Sequence, residues 1–182
     1  MVLHDFWTFF IWSTVAGLAI IGIYQLFLLI LRARGVFVTR TKFGLTMIFD
    51  SEDADGTPIR LLNVNGTFQS VSYIAPELRF ELCVHYHRMM AKVIQQVSAR
   101  GHVVVMGGGG FSLPKYLATH MSGGVIDAIE IDPKIVSLAR EHFFLDEALA
   151  AASSKLRVIE DDAWKVLQDA EEIGRASCRE RV

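Results

Sequence analysis

The chain has little of what marks several common classes of protein. It carries two cysteines in 182 residues, Cys83 and Cys178, far apart and without metal-ligand spacing. Neither a zinc site nor a disulfide framework is written there, and such usage suits a reducing, cytosolic compartment. Net charge is low, −2 at neutral pH, with a pI near 6.3, so nothing recommends nucleic acid as a partner. No glycine precedes the Lys-Ser/Thr pair of a P-loop, which excludes that phosphate cradle. His85 and His87 stand two apart, a spacing that puts side chains on different faces of a helix, and no metal is expected.

Hydrophobicity is what the chain has in excess: 52% of residues are hydrophobic and the mean hydropathy is +0.34. Much of it lies in Phe6–Leu31, which carries no charge and only Thr8, Ser13, Thr14, Tyr24 and Gln25 as polar interruptions. About 20 apolar helical residues cross a bilayer, and this run is long enough to cross with some tilt. Trp7 and Trp12 lie near one end as interfacial aromatics do; Arg32, Arg34, Arg40 and Lys42 follow the run directly. The positive-inside rule then places the N-terminus outside and the remainder in the cytoplasm. A cleaved signal fits less well, because the run is too long, no basic region precedes it, and arginines stand where a small-residue cleavage motif belongs. Residues 1–32 are therefore expected to be a transmembrane anchor of a single-pass cell-membrane protein.

The opposite end looks foreign. Residues 172–182, Glu-Ile-Gly-Arg-Ala-Ser-Cys-Arg-Glu-Arg-Val, read as the translation of a common short-read sequencing adapter. On that reading the native sequence is cut near Glu171, Cys178 is an artefact, and the segment is set aside from fold reasoning.

Between these ends, residues 33–75 read as a small β-hairpin region. Phe43–Phe49 alternates loosely, Asp55-Gly56 marks a turn, Ile59–Val64 is a strand, Asn65-Gly66 a hairpin turn and Thr67–Tyr73 a further strand. Residues 76–171 read as a partial Rossmann-like nucleoside-binding domain. A helix is expected from Pro76 to Gly101, with Leu82, Tyr86, Met89, Met90, Val93 and Val97 at helical steps.

The most informative stretch follows. Val103–Met106 reads as a buried parallel strand and runs into four glycines, Gly107–Gly110. Ser112 can cap a helix behind them, on which Leu113, Tyr116, Leu117 and His120 share a face. Val125–Ile131 is the next strand and contains Glu130, about 20 residues past the glycines, the offset of a nucleotide-binding β-α-β unit. Asp132-Pro133 opens another helix, with Asp as N-cap and Ile135, Val136, Leu138 and Ala139 as its apolar face. Lys155–Glu160 is a third strand, ending in Asp161-Asp162. Three parallel strands thus end in ligand-capable residues at one edge. The glycines let a ligand approach the backbone, and the acid can accept from ribose hydroxyls, so an adenosine-containing cofactor is expected. Gly107 and Gly109 put the third glycine of a dinucleotide fingerprint on Ser112, which argues against a dinucleotide.

From about Thr41 to Leu167 the chain resembles the spermidine synthase family of polyamine aminopropyltransferases. These share the fold of class I S-adenosylmethionine-dependent methyltransferases. The resemblance rests on Leu62–Ser70, Tyr86–Met90, Gly107–Gly110, Ile129–Pro133 and Glu160–Ala163, five short motifs in the family's order. Together with the apolar N-terminal run, it implies an α/β fold: a transmembrane helix, a small β-hairpin region, then the first half of a Rossmann-like methyltransferase-type parallel sheet. It also implies alkyl transfer from a sulfonium nucleoside to a small-molecule amine, without a metal. Gln69, Gly107, Gly108, Gly109, Gly110, Glu130, Ile131, Asp162 and Ala163 would bind the cofactor. Within that set Gln69 would touch the nucleoside or its amino-acid tail, Glu130 would hold the ribose hydroxyls, and Asp162 would accept from the adenine amine, with Ala163 beside it. Tyr86 and His87 would border the amine.

Two departures from the family pattern matter. Gly110 stands where the family has an aspartate, with Phe111 and Ser112 in place of glycines, and Arg88 stands where it has a glutamate. The donor is thereby left open between decarboxylated S-adenosylmethionine and S-adenosylmethionine. The alternatives are a methyltransferase acting on another acceptor, or a non-catalytic membrane-tethered nucleoside- or polyamine-binding module. The family's catalytic aspartate follows a fourth strand that the sequence does not reach, so no catalytic residue is assigned and the fragment is expected to be inactive. A homodimer is left open.

Overall fold

The structure is a computed structural model that describes residues 2–98 and 101–169. It divides into two compact units, Met1–Val38 and Thr39–Val182. The first is helix α1 (Val2–Ala33), with exposed hydrophobic side chains such as Phe9, Trp12, Ile20 and Ile23. Ser13 and Thr14 return their hydroxyls to the Phe10 carbonyl, both at 2.9 Å. Two polar groups within the apolar run are thus satisfied inside the helix, as a hydrocarbon environment would require. From Trp7 to Ala33 the helix is long and apolar enough to cross a membrane by length and composition.

Two sheets follow the helix, the first strand straddling the boundary between the units. Strands β1 (Phe37–Thr41), β2 (Gly44–Glu52), β3 (Pro58–Val64) and β4 (Thr67–Tyr73) lie in that order, and β2–β3 and β3–β4 are antiparallel. The turn between β2 and β3 is built on Asp53, whose Oδ1 accepts from the backbone N–H groups of Asp55 and Thr57. That between β3 and β4 is the expected Asn65-Gly66 pair, both at positive φ, as a two-residue hairpin turn requires. Ile48, Leu62 and Val64 of this sheet pack against Ile135, Leu138 and Phe143.

The second sheet is parallel, β5 (His102–Met106), β6 (Val125–Ile129) and β7 (Lys155–Ile159), with β6 central. Helices α2 (His85–Ser98), α3 (Ser112–His120), α4 (Pro133–His142), α5 (Leu145–Ala151) and α6 (Ala163–Asp169) connect and follow these strands. Strand β6 is buried along most of its length because helices and strands enclose it, which is why its sequence reads as a continuous apolar run. The exception is Asp127, 4% exposed. His102 on β5 and Arg157 on β7 close on its carboxylate from either side.

Most elements fall where the sequence places them, and α4 begins as expected: Asp132 accepts from Lys134 N with Pro133 in the first turn. Three expectations are corrected. The helix expected from Pro76 starts at His85 instead, since residues 75–84 form turns that drive Leu82 into the core. Arg79 and Arg88 bind the carbonyls of Ile74, Leu82 and Cys83, which stabilises that non-helical path. On α2 it is Ala91 and Ile94 that meet the core, whereas Tyr86, Met89, Met90, Val93 and Val97 are exposed. Ser112 is not the cap of α3. Phe111 holds the N-cap position without a side-chain cap bond, and the Ser112 hydroxyl reaches across to β4 instead. The foreign-looking residues 172–182 lie outside the described residues.

Asp127 generates a pH prediction. Burial pushes its carboxyl up, but hydrogen bonds and charge from Arg157 and His102 outweigh this and hold it below the ordinary value of 3.8. A depressed folded-state pKa stabilises above the unfolded value, and that contribution is lost as pH falls through the folded one. Asp127→Asn should therefore cost stability at neutral pH, by about 1–3 kcal/mol. The gap from wild type should close as pH falls below about 3.8, measured by urea unfolding across pH.

Candidate functional site

The carboxyl ends of β5 and β6 open on a cavity of about 570 Å³. Its floor is the glycine loop and its walls come from β3, β4, α2 and α3. Among the expected site residues, Gln69, Tyr86, His87, Gly107, Gly108, Gly109 and Glu130 all line it. The loop leaves β5 through Gly107, whose φ of 89° no L side chain adopts readily. Gly107 N donates to Ile129 O at 2.8 Å, which carries the ladder one step past the strand.

Glu130 is the centre of the site. It is 7% exposed, and its Oε2 accepts from Gly108 N (2.8 Å) and Gly109 N (3.3 Å) while Oε1 accepts from Asp132 N (3.0 Å). A carboxylate offers about four acceptor positions. Three are taken by the protein, so one remains for a ligand hydroxyl without releasing the loop. The acid thus fixes the loop's shape.

Gly108 and Gly110 are set by contact. A Cβ on Gly108 would lie 2.4 Å from the ring of Phe111; one on Gly110 would lie 2.6 Å from Ser70 Oγ and 3.0 Å from Phe143. Gly110 is buried and does not line the cavity. No side chain fits at 110 beside Ser70 and Phe143, so the loop presents no carboxylate there. Phe111 itself has φ 56° and is fully buried; enclosure of its ring holds a left-handed conformation that costs a non-glycine residue about 1 kcal/mol or more.

Ile131, Asp162 and Ala163 do not line the cavity either. Asp162 is exposed, and its Oδ1 caps α6 by accepting from Trp164 N at 2.9 Å. His87 is half-buried with Nδ1 enclosed and without a hydrogen-bond partner among the described residues, and burial lowers its pKa. Its ring lies 4.2 Å from that of Tyr86. Burial pushes the Cys83 thiol up to about 11, so it stays protonated and unreactive at neutral pH. Among the described residues no group of three or more His, Cys, Asp and Glu side chains could hold a metal ion.

Sequence reasoning did not single out Phe43, Asn65, Ser70, Met90, Met106, Ser112 or Leu113 as lining residues. Ser112 carried a signal, since it takes a glycine position of the family loop; the others depend on how the small sheet meets the loop.

A glycine loop tied to an acid at the carboxyl edge of a parallel sheet, beside a small antiparallel sheet, is an α/β architecture of the methyltransferase type. Residues 83–176 match the spermine/spermidine synthase domain. That is just over half of the chain, and the chain belongs to this family. The match runs into the segment that reads as foreign. No curated protein matches the chain. Among solved structures, a probable spermidine synthase from Corynebacterium glutamicum ATCC 13032 superposes with TM-score 0.53 at 23% identity, over 71% of this chain and 46% of that one. Spermidine synthase from Thermotoga maritima gives 0.52 at 14%, over 74% and 43%. A spermidine synthase in complex with the transition state analogue AdoDATO gives 0.52 at 15%, over 74% and 42%. These likenesses show the fold, and the chain spans less than half the length of each.

The crowding at Gly110 predicts that Gly110→Ala destabilises the fold by about 1–3 kcal/mol, the cost of overpacking a filled site. Chemical denaturation measures it, and unchanged stability would mean Ser70 and Phe143 move aside freely.

Proposed function

We propose that the chain binds a sulfonium nucleoside, decarboxylated S-adenosylmethionine or S-adenosylmethionine, on the loop Gly107–Gly109 and Glu130. We further propose that it serves transfer of an alkyl group from that donor to an amine. The observation that carries this reading is the Glu130 carboxylate, which holds the loop open against the cavity and keeps one acceptor position for a ribose hydroxyl. Gln69 stands on the same wall for the nucleoside or its tail, and Tyr86 and His87 face the acceptor side. The reaction asks little of the protein: the sulfonium carbon is already electrophilic, so alignment and removal of a proton suffice. Asp162 gives one acceptor position to the cap of α6 and keeps the others, so its carboxylate can still accept from the adenine amine, with Ala163 beside it.

A second reading, methyl transfer from S-adenosylmethionine, is favoured by Gly110. A donor without its carboxylate carries an unbalanced ammonium that a loop acid would offset. Here that position is filled by Ser70 and Phe143, and the intact donor brings its own carboxylate.

Glu130 is the only carboxylate among the described residues that lines the cavity, and it is already engaged. We infer that the chain as it stands binds donor without holding a cationic acceptor, and so does not turn over. Residues 1–32 would tether it to the membrane with the catalytic unit cytoplasmic, and a homodimer is a further expectation for the whole protein.

Isothermal titration of the purified chain in detergent with S-adenosylhomocysteine, S-adenosylmethionine and decarboxylated S-adenosylmethionine tests the reading. Binding should be seen and should weaken about tenfold or more in Glu130→Gln, the loss expected for a charge-assisted hydrogen bond. No heat with any of the three contradicts it. For the anchor, the whole chain should resist carbonate extraction from membranes while a chain lacking residues 1–33 should not; release of both would argue against a span.

A further inference from the structure

Lys115, on α3, is 1% exposed, and nothing above gives it a role. Among the described residues it makes no ion pair. Its Nζ donates to the carbonyl of Phe143, the C-cap of α4, and to Ser72 Oγ at 3.2 Å. Burial pushes its pKa down to about 7, against an upward pull from Cys83 and Glu147. Cys83 is a protonated thiol at neutral pH, and the Glu147 carboxylate is bonded to Arg79 at 2.6 Å, so neither neutralises it. A buried charge without an opposite one beside it is costly. An anion brought near this lysine is therefore stabilised by it.

Three serines connect it to the cavity. Ser72 Oγ lies 3.2 Å from Ser112 Oγ, which lies 2.9 Å from Ser70 Oγ. Ser70 and Ser112 are buried, and both line the cavity beside Gly107–Gly109. The lysine sets the direction of the first bonds. A charged Nζ has hydrogens and no lone pair, so Ser72 accepts from it and turns its own hydrogen to Ser112. Ser112 spends its one hydrogen on the Val71 carbonyl at 2.8 Å. Ser70 is left with a hydrogen that the other serines do not require, because Ser112 Oγ already accepts from Ser72. It can turn that hydrogen from Ser112 into the cavity and leave no buried serine without a partner.

We propose that Ser70, backed by Ser112, Ser72 and Lys115, is a subsite for the carboxylate of the donor's amino-acid tail, so that the cavity selects S-adenosylmethionine over its decarboxylated form. The statement rests on the sulfonium-nucleoside reading of the cavity. The ligand carboxylate accepts from the Ser70 hydroxyl and brings Lys115 the negative charge it lacks. Hydrogen bonds with one ionised partner are about twice as strong as neutral ones. No acid on this wall opposes the ligand's own. Ser70 fills the space beside Gly110 where a loop carboxylate would stand. Glu130, the only carboxylate among the described residues that lines the cavity, is held by three backbone N–H groups. A donor stripped of its carboxylate brings only an ammonium to the same wall, where it meets the like charge of Lys115. Selection thus comes from a missing bond and from repulsion together.

Isothermal titration of the full chain in detergent tests the subsite without turnover. The ligands are S-adenosylhomocysteine, its decarboxylated form, and 5′-methylthioadenosine, which has no amino-acid tail. S-adenosylhomocysteine should bind about tenfold or more tighter than its decarboxylated form, the worth of one charge-assisted hydrogen bond. Ser70→Ala should remove most of that preference while 5′-methylthioadenosine binds as it does to the wild type. Ser72→Ala should reduce the preference too, because Ser112 then keeps the Ser70 hydrogen for itself. Ser137→Ala, which removes an exposed hydroxyl on α4, should change nothing. If Ser70→Ala does not fold, Ser72→Ala carries the same test. Equal affinity for the two tailed ligands, or a preference that survives both serine substitutions, overturns the subsite and leaves the nucleoside reading in place. So does a loss in Ser70→Ala that is as large for 5′-methylthioadenosine as for S-adenosylhomocysteine, which would make Ser70 a prop of the loop. Failure of all three ligands to bind the wild type overturns the nucleoside reading and the subsite with it.

Discussion

One buried carboxylate holds the site together. Glu130 directly follows strand β6, and its two oxygens accept from the loop after β5 and from Asp132, the N-cap of α4. Burying a charge is expensive unless hydrogen bonds replace its water, and here three backbone N–H groups do so. Because those groups come from two different connections, the carboxylate fixes both at once. The next acid extends the constraint. Asp132 caps α4 through Lys134 N and accepts from Lys42 N at 2.6 Å, which ties the small antiparallel sheet to the same corner. Loop, helix and outer sheet are thus positioned by two neighbouring carboxylates at the edge of one parallel sheet.

That corner explains what the loop can and cannot offer. Gly108 and Gly110 have no room for a Cβ because Phe111, Ser70 and Phe143 occupy the space. Phe111 and Ser112 stand where the family has further glycines, and the structure gives each a use. The Phe111 ring fills the underside of the loop and holds a left-handed backbone. The Ser112 hydroxyl joins Ser70 and Ser72 beneath the cavity. Substitutions that look like losses against the family pattern are here the packing and polar wiring of the cavity wall.

Much of this was legible in the sequence. The parallel strands, the Asp132-Pro133 helix start and the Asn65-Gly66 hairpin follow from local signals: β-branched runs, a capping acid, and a turn pair that tolerates positive φ. The glycine loop and Glu130 were legible as a pair because their offset is set by the length of one β-α-β unit. What was not legible depends on contacts between distant segments. Helical periodicity from Pro76 could not show that Leu82 turns inward or that arginines hold the chain in turns as far as residue 84. Nor could it show that Glu130 spends most of its acceptor capacity on the protein, that Asp162 caps α6, or that Lys115 is buried and donates to Ser72 and the Phe143 carbonyl. The Glu130 and Lys115 contacts join segments far apart in the chain, which no local pattern encodes.

The account stands on the claim that a sulfonium nucleoside sits on the loop Glu130 fixes. Backbone amide NMR during addition of S-adenosylhomocysteine tests it most directly. The account predicts that the largest shifts fall on Gly107, Gly108, Gly109 and Asp132, whose N–H groups line the loop or bond to the Glu130 carboxylate. Saturable shifts confined to other parts of the chain, with these four unmoved, would contradict it.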